Sequence, residues 1–201
     1  VIADSVTEIA EDAFDGCDKL TIKNKENSYA HTYAQTQGIN VSTFVIAPIP
    51  NQTYTGFEIK PDISVSASGD KLAENVDFGV TYANNINVGN ADVTVKGKGD
   101  FRMFASKAKF TIVTKGISAV TVAPIDDQPY TGSAVTPEIT VTDGIKVLRE
   151  GTDYTVTYAN NINEGSATVT ITGKGNYSGT ATTNFQITKE MSEKIFVIPP
   201  A

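Results

Sequence analysis

The chain has 201 residues, with 16 Lys or Arg against 23 Asp or Glu, for a formal net charge of −7. Its 40% hydrophobic content is enough to build packed cores, while the acidic balance excludes phosphate-neutralising contact with nucleic acid and adhesion to anionic lipid headgroups. No run of about 18 apolar residues occurs, so no membrane insertion is expected, and the lone Cys17 cannot form an internal disulfide.

Residues 1–43 differ in style from the rest. They open on "VIADSVTEIAEDAF" without a secretory signal, as if cut from a longer protein. Apolar residues at Val6, Ile9, Ala13, Phe14, Cys17, Leu20 and Ile22 follow a turn-like spacing, with Cys17 read as a small buried hydrophobe. In "ENSYAHTYAQTQGI" a short helix is predicted, with Ser28 as N-cap, Gly38 just past its end, and Tyr29, Ala30, Tyr33 and Ala34 as the buried stripe. His31 is expected to face solvent.

From residue 44 onward the chain repeats itself. "DFGVTYANNINVGNADVTVKGKGDF" (Asp77–Phe101) and "DYTVTYANNINEGSATVTITGKGNY" (Asp153–Tyr177) lie 76 positions apart and share 16 of 25 residues. The earlier "APIPNQTYTG" and "APIDDQPYTG" keep the same offset, which drops to 75 by Phe110 and Phe185. Residues 44–115 are read as the first repeat and 116–190 as the second. Residues 191–201 are read as a linker and the start of a third, because "FVIPPA" matches "FVIAPI".

Within each repeat the period is two. Tyr154, Val156 and Tyr158 alternate with Thr155 and Thr157, and Ala167, Val169 and Ile171 with Thr168, Thr170 and Thr172, as strands buried on one face do. Strands every 8–12 residues with turn signals between them predict a sandwich or barrel. "YANNIN" then reads as a hairpin connection, because Asn tolerates the left-handed backbone region and Gly89 and Gly165 supply positive φ. Ile86 and Ile162 are expected to tuck inward. Exposed Asn84, Asn85, Asn160 and Asn161 are the alternative reading, as amides that could bond sugar hydroxyls. "GKG" lacks the spacing and helix of a phosphate loop and is read as a turn. Asp77 and Asp153 are read as caps, and Tyr54 and Tyr130 as packed aromatics. Where repeat two has "SGT", repeat one has Arg102, Met103 and Phe104, its most individual surface.

These residues carry a resemblance. "DSVTEIAEDAFDGCDKLTI" resembles the repeat of BspA-type leucine-rich repeat proteins, and the segment after it is similar to the helical cap that closes such arrays. The two "YTG…YANNIN…GKG" units look like the tandem Ig-like β-domains of bacterial surface and secreted proteins. The resemblance implies a mainly β fold: a truncated leucine-rich repeat cap with a short helix, then two tandem Ig-like β-sandwich domains. It further implies an extracellular or cell-surface location in bacteria.

No catalytic, cofactor or metal constellation is expected, since one His, one Cys and dispersed carboxylates offer no paired chemistry. The expected role is a monomeric, non-enzymatic stalk that displays the leucine-rich region. Each 76-residue domain would add roughly 30 Å of reach. The alternative is an adhesin that binds a host protein or glycan directly.

Overall fold

In the computed structural model the chain is mainly β with one short helix. The structure describes residues 2–3, 5–17, 19–23, 28–42, 44–102 and 104–189. Met103 and the expected linker and repeat start at 191–201 lie outside the described residues. The chain divides into two compact units, Val1–Val113 and Thr114–Ala201.

The first segment of unit 1 holds β1 (Thr21–Lys23), α1 (Tyr29–Thr36) and β2 (Asn40–Ser42), with β1 and β2 paired in parallel. The helix starts where Ser28 accepts a hydrogen bond from the His31 backbone N–H at 3.2 Å. It stops where Gly38 takes φ +66°. There the Ile39 N–H bonds the Ala34 carbonyl and the Gly38 N–H bonds the Gln35 carbonyl, a Schellman closure. Ile22, Ala30, Tyr33 and Ala34 form a small core, with Ile9, Phe14, Leu20 and Val41 packed around it. The Tyr33 hydroxyl reaches the carbonyls of Ala10 and Glu11, both at 3.0 Å.

Three expectations for this segment are overturned. Cys17 is exposed; its backbone closes turns to Phe14 and Leu20, and those two side chains do the packing instead. Tyr29 is 44% exposed and His31 only 9%. Both lie at opposite margins of the face centred on Ala30, Tyr33 and Ala34, about 100° from its middle. The fold covers the His31 margin and leaves the Tyr29 margin to solvent.

The rest of unit 1 comprises β3 (Phe44–Ile46), β4 (Gln52–Thr53), β5 (Val65–Ala67), β6 (Asp70–Lys71), β7 (Phe78–Ala83), β8 (Gly89–Gly97) and β9 (Ala105–Val113). They form a three-stranded sheet, β3-β5-β6, and a four-stranded sheet, β4-β9-β8-β7. All neighbours are antiparallel except β4 and β9, which run parallel. The predicted alternation appears as burial: Ala91, Val93 and Val95 on β8 and Ile112 on β9 are at most 1% exposed, facing inward with Val65 and Ala67 of β5. Burying each such Val or Ile side chain stabilises by about 1.5–3 kcal/mol before entropy is subtracted.

Unit 2 contains β10 (Lys115–Gly116), β11 (Thr121–Val122), β12 (Gln128–Pro129), β13 (Val141–Asp143), β14 (Lys146–Val147), β15 (Tyr154–Ala159), β16 (Gly165–Gly173), β17 (Tyr177–Ser178) and β18 (Thr180–Thr188). Its sheets, β11-β13-β14 and β12-β18-β16-β15, repeat the two strand orders of unit 1, including a parallel pair, β12 with β18. The duplicated sequence therefore gives a duplicated topology. Among the described residues, unit 2 adds a pairing that repeat one lacks: β10 runs parallel to β17.

That feature arises where the offset drops by one. In repeat one the Gly97 N–H bonds the Phe104 carbonyl, around a 3-10 turn at Gly99–Phe101. In repeat two the Gly173 N–H bonds the Gly179 carbonyl, and the shorter path leaves Tyr177 and Ser178 extended. Both loops press against the leading Gly of "GKG". A Cβ on Gly97 would lie 1.8 Å from the Phe101 carbonyl oxygen, and one on Gly173 would lie 2.6 Å from the Ser178 nitrogen. By contrast Gly144, at φ +58°, has open space around it. Gly173→Ala is expected to cost about 3 kcal/mol, the upper end of overpacking. Gly144→Ala should cost about 1–2 kcal/mol from backbone strain alone. Urea midpoints of the two variants check this order, and a Gly144→Ala loss equal to or larger than that of Gly173→Ala would refute the close approach.

Candidate functional site

The YANNIN hairpins carry four of the possible contact residues, Asn84, Asn85, Asn160 and Asn161. They join β7 to β8 and β15 to β16. Asn84 and Asn160 both sit at φ +57°, in the left-handed region that Asn tolerates. That twist turns the next residue inward. Asn85 is 6% exposed. Its amide Nδ2 donates to the Ile59 carbonyl at 3.0 Å, while the Ile59 N–H donates to the Asn85 carbonyl at 2.8 Å. In repeat two Asn161 makes the same pair with Val135, at 2.9 and 2.7 Å. Each Asn thus acts as a one-residue strand bridge that ties the loop to the segment ahead of β5 or β13. Ile86 and Ile162, expected inside, are 42% and 49% exposed. The second Asn occupies the inward position that the isoleucines were assigned.

Several other repeated polar residues are also engaged with the backbone. Tyr82 donates to the Pro61 carbonyl at 2.6 Å and Tyr158 to the Pro137 carbonyl at 2.5 Å. Asp77 and Asp153 accept from the backbone N–H groups of Ala73 and Arg149, as caps should. The lysines of "GKG" reach the carbonyls of the left-handed residues Asn75 and Gly151, at 3.4 and 2.6 Å. Thr55 and Thr131 accept from the N–H groups of Phe57 and Ser133 and so shape the "YTG" bends. Tyr54 is 4% exposed, as expected for a packed ring, whereas Tyr130 is 39% exposed.

Asn84 and Asn160 remain at the surface. Asn84 donates to Asp92 at 2.8 Å, and Asp92 pairs with Lys109 at 2.9 Å. These two contacts, Lys109 first, hold the Asp92 carboxyl below its usual range. Arg102 is exposed but Phe104 is 8% exposed and stacks on Phe44 at 4.9 Å, so its ring belongs to the interior. The hairpin at Asn84 and the turn at Arg102 do not converge. They lie at opposite ends of the nine-residue β8, roughly 26 Å apart along the strand.

Of the open depressions in repeat one, two adjoin the hairpin and Tyr82. One, of about 450 Å³, follows the hairpin from Asn84 to Asn90. The other, of about 510 Å³, has Glu58, Lys60, Asp62 and Glu74 around Tyr82. Lys60 is paired with Glu58 at 2.5 Å. Among the described residues no group of three or more His, Cys, Asp or Glu is placed to hold a metal ion. No protein-family model matches the chain, and no curated protein matches it.

Two features were missed at the sequence level. The buried His31 Nδ1 has no hydrogen-bond partner. In unit 2, Lys115 donates to Asp143 Oδ1 at 2.5 Å while the Tyr177 hydroxyl donates to Oδ2 at 3.0 Å. Asp143 replaces Ala67 of repeat one and Tyr177 replaces Phe101, and that paired exchange was the available signal.

Removing the buried amide is expected to cost about 1–3 kcal/mol in Asn85→Ala or Asn161→Ala, because a carbonyl is left unpaired. Asn84→Gly should stay within a few tenths of a kcal/mol, since Gly takes positive φ without strain. Thermal or urea denaturation distinguishes the two; equal losses would show that Asn85 is not the anchor. Burial, reinforced by Glu74 and Asp62, raises the Tyr82 hydroxyl above its ordinary range. Burial with Glu150 does the same for Tyr158, and burial with Glu150 and Glu138 for Tyr154. Raised phenols stabilise the fold fully below the unfolded value of about 10, and that contribution is lost as pH climbs through the folded values. Alkaline titration followed at the tyrosinate absorbance should therefore show ionisation coupled to unfolding, and independent ionisation of a folded chain would contradict it.

Proposed function

We propose that the chain is a non-enzymatic bacterial cell-surface module in which two tandem Ig-like β-sandwich domains act as a stalk for a leucine-rich repeat region. The observation that carries this reading is where the duplicated polar residues point. Asn85 and Asn161, Tyr82 and Tyr158, and Asp77 and Asp153 all bond the backbone of their own repeat. What was copied is the set of groups that fixes turns and cores. Exposed positions differ between copies, as at Asp92 against Thr168 and Lys60 against Thr136. A spacer needs its scaffold kept and tolerates drift at its surface.

The parallel pairing of β1 with β2 at a spacing of 19 residues supports the leucine-rich reading, since successive coils of a solenoid pair in this way. Two sheets with buried inner faces in each repeat support the sandwich reading. The extracellular location is what the resemblance implies, and a single Cys is compatible with it.

Direct adhesion to a host protein or glycan is the competing reading, and one assay separates the two. The chain, labelled and applied to a glycan array and to immobilised extracellular-matrix proteins, is expected to bind none of them above background. Saturable binding to one class, weakened by changes at Asn84 and Asn160, would replace the spacer with an adhesin.

A further inference from the structure

Chain order decides what tension does to unit 2. The chain enters at Thr114 and leaves along β18, which ends at Thr188. Two early strands run parallel to the last two, β10 to β17 and β12 to β18. Lys115 and Gly116 pair with Tyr177 and Ser178, and Gln128 and Pro129 pair with Ile187 and Thr188. When the ends of a chain are pulled apart, an early strand and a late strand that run parallel are drawn in opposite directions along their length. Every hydrogen bond between them then bears load together, in shear. Antiparallel terminal strands would instead peel apart one bond at a time.

The first of these pairings is reinforced by side chains. The Lys115 N–H bonds the Asn176 carbonyl at 3.0 Å, and the hydroxyls of Thr114 and Ser178 lie 2.7 Å apart. Lys115 Nζ donates to Asp143, whose other oxygen accepts from Tyr177. The Lys115 and Asp143 side chains are only 26% and 13% exposed, so solvent screens the pair weakly. Directly after it, Ile117 is fully buried. Repeat one, among the described residues, has the β4–β9 pairing but replaces this network with the stacked rings of Phe44 and Phe104.

We infer that unit 2 is a tension-bearing module, in which Thr114–Gly116 is locked onto Tyr177–Ser178 by the Lys115–Asp143–Tyr177 network and must shear before the unit can extend. The purpose rests on the spacer reading, because a stalk transmits any force applied to what it displays. The measurement rests on strand pairing alone, so it can fail while the binding assay still supports a spacer, and the reverse also holds.

The test is single-molecule force spectroscopy on the full chain, tethered at both termini. Each β-repeat should release about 75 residues, a gain of about 260 Å less its folded span. Two such events are expected, one at distinctly higher force, because rupture follows the barrier to unfolding. Lys115→Gln and Asp143→Asn should each bring the higher event down to the lower one and leave the lower unchanged. Val169→Ala thins the core of the same unit further from the clamp, four residues along β16 from the Gly173 that meets Ser178. It should lower the urea midpoint yet keep the high-force event. Equal forces in the unsubstituted chain would overturn the inference, as would a high-force event that survives both clamp substitutions or is lost equally in Val169→Ala.

Discussion

Backbone groups at the ends of a sheet ladder have no strand to bond, and an unpaired one inside a protein costs about 1–3 kcal/mol. In a 76-residue repeat made of short strands, that problem arises at nearly every turn. The repeat answers it with a few side chains at fixed positions. An asparagine amide serves as a strand of one residue. A tyrosine hydroxyl ties the same hairpin to a proline carbonyl. An aspartate caps the bend before the long strands. Core packing can then be carried by interchangeable Val, Ile and Ala, because the turns already set which face looks inward.

Much of this was legible in the sequence. Alternation gave the long strands, the 76-residue offset gave the common topology, and Asn-rich and Gly-rich stretches gave the hairpins. The aspartate caps and the Ser28 and Gly38 helix ends could be read because local chemistry determines them. What was not legible depended on direction after a backbone reversal. A left-handed Asn84 rotates the following residue by an amount no period-two pattern expresses, so Asn85 went inward and Ile86 outward. Phe104 was read as surface from its difference between copies, yet its ring fills space left by a longer turn.

Residues 1–42 were harder to read for a related reason. Their core is small, four buried side chains with half-buried neighbours, so single residues at its margin fall either way. Cys17 and Tyr29 went out and His31 went in. Helical position alone cannot separate such cases, because the margin a neighbour covers is fixed by tertiary contact. Of the candidate site, the sequence located the hairpins and not their engagement: the residues conspicuous by repetition proved to be conspicuous for building the repeat.

Two repeats of the same topology in one chain face a hazard while folding, because either copy's last strand can seek the other's sheet. The contact between Asp143 and Tyr177 bears on that choice. If β17 and β18 settled into the first repeat, Tyr177 would place its hydroxyl beside Ala67, which offers no carboxylate, and Asp143 would keep Lys115 but lose the Tyr177 hydroxyl. The wrong partnership would strand polar groups that the right one satisfies. The Asp143–Tyr177 pair thereby gives the last strands an address.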